Sequence, residues 1–294
     1  MAVSHFYNIL KDVKDHGKIV VSRGLETREL TGYSYNLPPR VRFMCFDDRK
    51  LKMDYIKQEF LWYLLGEPTD QSICKVASMW EGLINDDGSI NSNYGYYIFN
   101  PRAGFEGRSN FDRVATTLQQ DPYSRRATLM ILNSEHLNSI TRDYPCTVFI
   151  NFLIRENKLN MYVRMRSQDA IYGMGNDAPF FSFLHELMLW KLKDKDGELF
   201  KDLQLGTYHH SADSFHVYHR HYEMLDKILQ DPVASIDEHE NCPEMSRFTA
   251  HYLYVLRNEL TRPTPNLGGL DTEPFIKWLL TRDDETSLVM PDFA

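Results

Sequence analysis

Alternation is clearest in the middle of the chain. Over Thr147–Ile154, the positions Val148, Ile150, Phe152 and Ile154 alternate with Thr147, Phe149, Asn151 and Leu153, and the turn ENK leads into LNMYVRMRS. Because a period of two sends successive side chains to opposite faces, this stretch predicts a β-hairpin. On its second strand Leu159, Met161, Val163 and Met165 take one face, which leaves Arg164 and Arg166 on the other, where water or a ligand must meet them. SFHVYHRHY alternates again and projects His216 and Tyr218 from a shared face. Further strands are expected at Lys18–Ser22, near Val41–Phe46 and over Ala127–Leu132, with SRGLETRELTG reading as a polar loop after the first of them.

Helical spacing marks YIKQEFLWYLL, Tyr55–Leu65, which carries Glu59, and recurs at Phe180, Leu184, Leu187, Met188 and Leu192. Asp177 stands just ahead of that second run and Pro179 falls in its first turn, so Asp177 is expected to be a helix N-cap. Helices near Met245–Leu260 and Thr272–Thr281 precede a polar tail ending MPDFA. Strands and helices intermix without regular βαβ repetition, the pattern of an α+β fold. No linker, low-complexity tract or repeat interrupts the chain, so residues 1–294 are expected to form a single domain.

Composition narrows the partners. The 43% hydrophobic and 25% charged content of the 294 residues is that of an ordinary soluble protein, and a formal net charge of −8 disfavours long-range attraction to nucleic acid. A few focused arginines can still hold a phosphate. No apolar run approaches the ~18 residues of a membrane span. Cys45, Cys74, Cys146 and Cys242 show no CxxC spacing, and the N-terminus lacks a signal-peptide pattern, so a reduced cytoplasmic setting is expected.

Candidate chemistry begins with Cys146, in DYPCTVFINF at the mouth of a strand. Alone it reads as a small buried sheet residue; nearby arginines could lower its pKa toward a reactive thiolate. Arg23, Arg125, Arg126 and Arg166 are available for that, although the pair in PYSRRATLM reads by itself as a solvated turn. Without a Walker loop or GxGxxG turn, a phosphate would be held by side chains. His209, His210, His216, His219 and His221 lack HExxH or zinc-ligand spacing, so no metal site is expected.

Taken in order, SRGLETRELTG, WEGLINDDGSINSNYG, DPYSRR, YPCT, MRSQDAIYGMGND and SFHVYHRH resemble the blocks of the thymidylate synthase superfamily. INSNYG, CT, NMYVRMRSQD, GMGND and HVYHRH are most similar to its phage deoxycytidylate hydroxymethylase branch. The resemblance implies a thymidylate synthase-like α+β domain with a mixed sheet, forming an obligate sheet-mediated homodimer. It implies that Cys146 adds to ring carbon 6 of a pyrimidine, that Arg23, Arg166 and Ser167 bind the nucleotide phosphate, and that Arg125 and Arg126 reach the neighbouring active site. His216 and Tyr218 would hold the sugar 3′-hydroxyl. Glu59, Trp80, Asn151 and Tyr94 would surround the base and the folate, with Asp169 and Gly173 on the folate-side loop. The co-substrate implied is 5,10-methylenetetrahydrofolate, without a metal, and a polar C-terminus would close the site.

Two positions depart from thymidylate synthases: Thr147 follows the nucleophile where His is usual, and Asp177 replaces the base-reading Asn. An amide matches uracil, whereas a carboxyl group matches the amino donor and ring-nitrogen acceptor of cytosine. The substrate expected is therefore dCMP; the resemblance implies 5-hydroxymethyl-dCMP as the product and suggests phage DNA modification as the setting, with antibiotic biosynthesis as the other pathway that uses related chemistry. A reductive dCMP methyltransferase is the nearest alternative, followed by a dUMP hydroxymethylase or thymidylate synthase. A non-catalytic nucleotide- or RNA-binding relative would not require the Cys146 thiol.

Overall fold

The computed structural model describes residues 5–138, 140–230, 242–262 and 264–282. The tail MPDFA lies outside them. Strands β1 (Lys18–Ser22), β2 (Leu25–Leu37), β3 (Thr128–Met130), β4 (Thr147–Arg155), β5 (Lys158–Asp169) and β6 (Gln204–Tyr218) form a sheet in the order β1-β2-β6-β5-β4-β3. Every neighbouring pair is antiparallel except β5 and β6, which run parallel. The helices are α1 (His5–His16), α2 (Met53–Leu65), α3 (Tyr94–Phe99), α4 (Asn110–Gln120), α5 (Ser134–Asn138), α6 (Tyr172–Lys195), α7 (Tyr222–Gln230), α8 (Thr249–Leu260) and α9 (Pro274–Leu280). The α+β expectation holds.

The hairpin forms as its alternation requires: Leu159, Met161, Val163 and Met165 are buried, as are Ile150, Phe152 and Ile154. A register shift between Thr147 and Phe149 breaks strict alternation just after Cys146. Parallel pairing of β5 with β6 needs a crossover, supplied by α6, whose Phe181, Leu184 and Met188 are fully buried in the core with Phe60 and Trp62 of α2.

Three expectations need correction. SRGLETRELTG is not a loop: after a two-residue turn at Arg23 and Gly24, both at positive φ, it becomes the long strand β2. Its main chain is hydrogen-bonded to β1 on one side and β6 on the other, so its ladder persists without an apolar alternation to announce it. Val41–Phe46 is not a strand; Phe43, Met44 and Phe46 are apolar because this irregular segment is buried. Finally, Asp177 is not an N-cap. Helix α6 begins at Tyr172, and its start is held by Asp169, whose carboxylate accepts from the Ile171 and Tyr172 N–H groups at 3.0 and 3.3 Å.

Gly175 and Pro179, which suggest a later start, sit inside α6. Gly175 is there for space: a Cβ would stand 2.4 Å from Arg49 Nη2. The Arg49 guanidinium crosses at this point, donating to Ile171 O and to Asn176 Oδ1.

Candidate active site

The C-terminal ends of β5 and β6 converge with the β1–β2 turn on an open cleft of about 380 Å³, lined by Arg23, Arg166, Ser167, His216 and Tyr218 among others. Parallel pairing sets Ser167 beside Ser214 and Asp169 beside His216. The His216 and Tyr218 rings meet edge-on at 4.9 Å, confirming their shared face. Arg23 holds φ 50 in the hairpin turn, a left-handed conformation unusual for a side-chain-bearing residue.

Arg166 ties this cleft to Cys146. Its backbone N–H donates to Cys146 O at 2.8 Å, while Nε and Nη2 donate to Pro145 O and Tyr144 O. The strand-entry loop is thereby clamped to β5. Burial pushes the Cys146 thiol above its ordinary value, with further upward pressure from Asp177 and Asp143. Arg166 and Arg23 pull it down but do not prevail, so the arginines of this chain do not by themselves produce a low-pKa thiol.

Beyond the cleft lies a buried acid pair. Glu59, on α2 and 4% exposed, accepts from Tyr55 Oη at 2.7 Å, and Tyr55 in turn accepts from Trp80 Nε1 at 3.1 Å. Tyr55 is one helical turn before Glu59, so α2 presents both to one side. Burial, reinforced by the charge of Asp177, pushes Glu59 up to about 8. Asp177 itself is raised to about 7, chiefly by burial, against the pull of a hydrogen bond from Gln168.

That hydrogen bond is oriented from behind. Tyr35 Oη donates to Gln168 Oε1, which turns the amide so that Nε2 donates to Asp177 Oδ2, each at 3.3 Å. Asp177 as a residue is half-buried, although its carboxyl group is desolvated.

Other expected site residues gather here. Tyr94 is buried against the Tyr63 ring at 5.3 Å, and its hydroxyl accepts from the Thr147 N–H at 3.4 Å, next to Cys146. Trp80 packs on Trp62 at 5.2 Å. Gly173, in the first turn of α6, lies between Asp169 and Asp177: a Cβ there would stand 3.3 Å from Asp169 Cβ and 3.8 Å from Asp177 Oδ2. The Thr147 hydroxyl is buried without a hydrogen-bond partner.

Not every expected residue joins them. Asn151 sits between the core residues Ile150 and Phe152, so alternation turns it away from α6, and it accepts from Thr128 on β3 instead. Arg125 and Arg126 are exposed in a separate surface hollow with Gln120, Asp121 and Tyr123. Sequence reasoning passed over Gln168, Tyr35 and Tyr55. Gln168 was visible inside MRSQD and Tyr55 at helical spacing from Glu59, but nothing local marks Tyr35 as the neighbour of Gln168.

Among the described residues no cluster of three or more His, Cys, Asp or Glu is disposed to hold a metal ion, and no helix is long and apolar enough to cross a membrane.

A family model described as thymidylate synthase matches residues 4–250. The deoxycytidylate 5-hydroxymethyltransferase of Enterobacteria phage T4 is 26% identical across 73% of this chain and 85% of its own length. That of Enterobacteria phage T6 matches to the same extent. The deoxyuridylate hydroxymethyltransferase of Bacillus phage SP01 is also 26% identical, across 98% of this chain and 76% of its own length. Equal identity to relatives named for different bases leaves the choice of base to the site.

Proposed function

We propose that this chain, which belongs to the thymidylate synthase family, is a deoxycytidylate 5-hydroxymethyltransferase that chooses its base through Asp177. The observation carrying this reading is the environment of that carboxyl group, held near neutrality by burial and oriented by Gln168. Gln168 takes one lone pair of Oδ2, which leaves the other lone pair of Oδ2 and the whole of Oδ1 to pair with a base. A neutral acid donates to cytosine ring nitrogen 3 and accepts from its amino group; uracil presents the opposite pair. One mismatched polar pair in a dry site costs about 1–3 kcal/mol, roughly ten- to hundredfold in selectivity.

The cleft residues Arg23, Arg166 and Ser167 hold the 5′-phosphate, and His216 with Tyr218 holds the sugar. That places the base toward Cys146 and Asp177. Cys146 sulfur bonds to ring carbon 6, which turns carbon 5 into a nucleophile and divides one hard step into easier ones. Before this the thiol must lose its proton, against the burial that raises its pKa. The partner subunit's Arg125 and Arg126 would favour the thiolate, whereas the phosphate's own charge would not; both arginines are exposed and lie outside the lining of their own chain's cleft.

Glu59, neutral below about 8, is the proton donor and water organiser beside the base. The folate, on this reading, lies against Trp80, Asp169 and Gly173, with the Trp80 ring as a stacking face. Bound there, 5,10-methylenetetrahydrofolate supplies carbon at the formaldehyde oxidation level, which a hydroxymethyl product retains.

The test is turnover of dCMP and of dUMP with 5,10-methylenetetrahydrofolate, recording product mass and the fate of the folate. Hydroxymethyl-dCMP with tetrahydrofolate is expected. A methyl product with dihydrofolate would replace this reading with the reductive one, and preference for dUMP would overturn the base assignment.

A further inference from the structure

The sugar–phosphate cleft holds a carboxylate among its arginines. Glu29 on β2 lies directly across from His216 in the β2–β6 ladder and lines the same cleft. Its Oε1 accepts the Ser214 hydroxyl, and Ser214 Oγ stands 3.2 Å from His216 Nδ1. Three side chains from two adjacent strands thus form a string ending at the sugar-facing imidazole.

The direction of this string follows from counting protons. A serine hydroxyl has one proton, and here it goes to Glu29. What Ser214 offers His216 is therefore a lone pair, and Nδ1 must carry the hydrogen. Burial holds His216 below the ordinary histidine range, which keeps the ring neutral at physiological pH. A neutral ring with its proton on Nδ1 is bare at Nε2.

We propose that Glu29, acting through Ser214, fixes His216 as the Nδ1–H tautomer and so makes a free 3′-hydroxyl a requirement for the nucleotide. Bare Nε2 can only accept, and a 3′-hydroxyl can donate to it. A 3′-deoxy sugar leaves Nε2 unpaired. A 3′-phosphate brings negative charge and no proton toward both Nε2 and the Glu29 carboxylate. The substrate class is then the free 5′-monophosphate, with nucleotides esterified at the 3′-oxygen excluded, internal residues of a polynucleotide among them. Glu29 is a positioning residue, and the inference rests on reading this cleft as the sugar–phosphate site.

Two measurements test it. The first is ¹⁵N NMR of the His216 ring in the ligand-free protein, at neutral pH. The Nδ1–H tautomer is expected in the wild type and its loss in S214A; an Nε2–H tautomer in the wild type overturns the proposal. The second compares kcat/KM for dCMP and for its 2′,3′-dideoxy analogue. The wild type should favour dCMP about ten- to hundredfold, mainly through KM. In E29A the ratio should fall below about threefold, while E29Q, whose amide oxygen can still accept from Ser214, should restore most of it. A ratio unchanged in E29A, or lost equally in E29A and E29Q, overturns the relay. Should uracil nucleotides be the better substrates, the base reading fails while the same ratio on dUMP and its dideoxy analogue still tests Glu29.

Discussion

At the scale of single residues the proposed function turns on two carboxyl groups, Glu59 and Asp177, whose burial raises their pKa values. Asp177→Asn replaces an acid by an amide of the same shape, so preference should move from dCMP toward dUMP by about ten- to hundredfold, read as the ratio of kcat/KM values. Unchanged selectivity would remove Asp177 from base recognition. Glu59→Gln retains size and hydrogen bonding but cannot transfer a proton, and kcat should fall about 10²- to 10⁴-fold. The same residue makes a stability prediction. Glu59 is raised from 4.5 to about 8 and Asp177 from 3.8 to about 7, so the folded state binds more protons than the unfolded one between those values. Stability from these groups is fully present below their unfolded pKa values and is lost as pH rises through 7 to 8. Glu59→Gln should therefore unfold at higher urea than the wild type at pH 9 and match it near pH 4, the gap opening as pH rises from the unfolded value of 4.5 towards 8. A variant less stable than the wild type at pH 9 would mean that Glu59 is not strained by burial.

Among the elements, α6 organises the site. Asp169 starts it, Gly173 and Gly175 shape its first turns, and Asp177 hangs from its second. Because a Cβ at Gly175 meets Arg49 at 2.4 Å, Gly175→Ala should cost about 1–3 kcal/mol in denaturant unfolding and disturb Asp177 selectivity with it. Full stability in that variant would show that Arg49 can withdraw freely. Phe181 is fully buried in the same helix, and Phe181→Ala should cost about 3–5 kcal/mol with no change in base preference among the molecules that remain folded. The helix was legible as an apolar run from Phe180 onward, but its true start was not. Glycines and a proline argue locally for a boundary, and it took the Asp169 carboxylate and the Arg49 side chain, both outside that run, to extend the helix back to Tyr172.

For the molecule as a whole the decisive expectation is a dimer with shared sites. Cys146→Ala and Arg126→Ala homodimers should each be inactive, and mixing them through a cycle of denaturation and refolding should return up to about a quarter of wild-type activity, in heterodimers with one intact site. No recovery on mixing would confine each site to one chain. The sequence by itself determined which side chains are on hand: the Cys146 thiol, the Arg166–Ser167 and His216–Tyr218 pairs, and the hairpin that holds the first of these pairs. Such features are local, because side-chain chemistry and a period of two need only neighbours in the chain. The tertiary structure alone decided that a polar stretch becomes β2, since its pairing groups are satisfied by β1 and β6. It alone decided that Asn151 faces away from α6 and that Glu29, Ser214 and His216 form one string. And it set the protonation of Glu59 and Asp177, because the water taken from a carboxyl group depends on what packs around it from elsewhere in the chain.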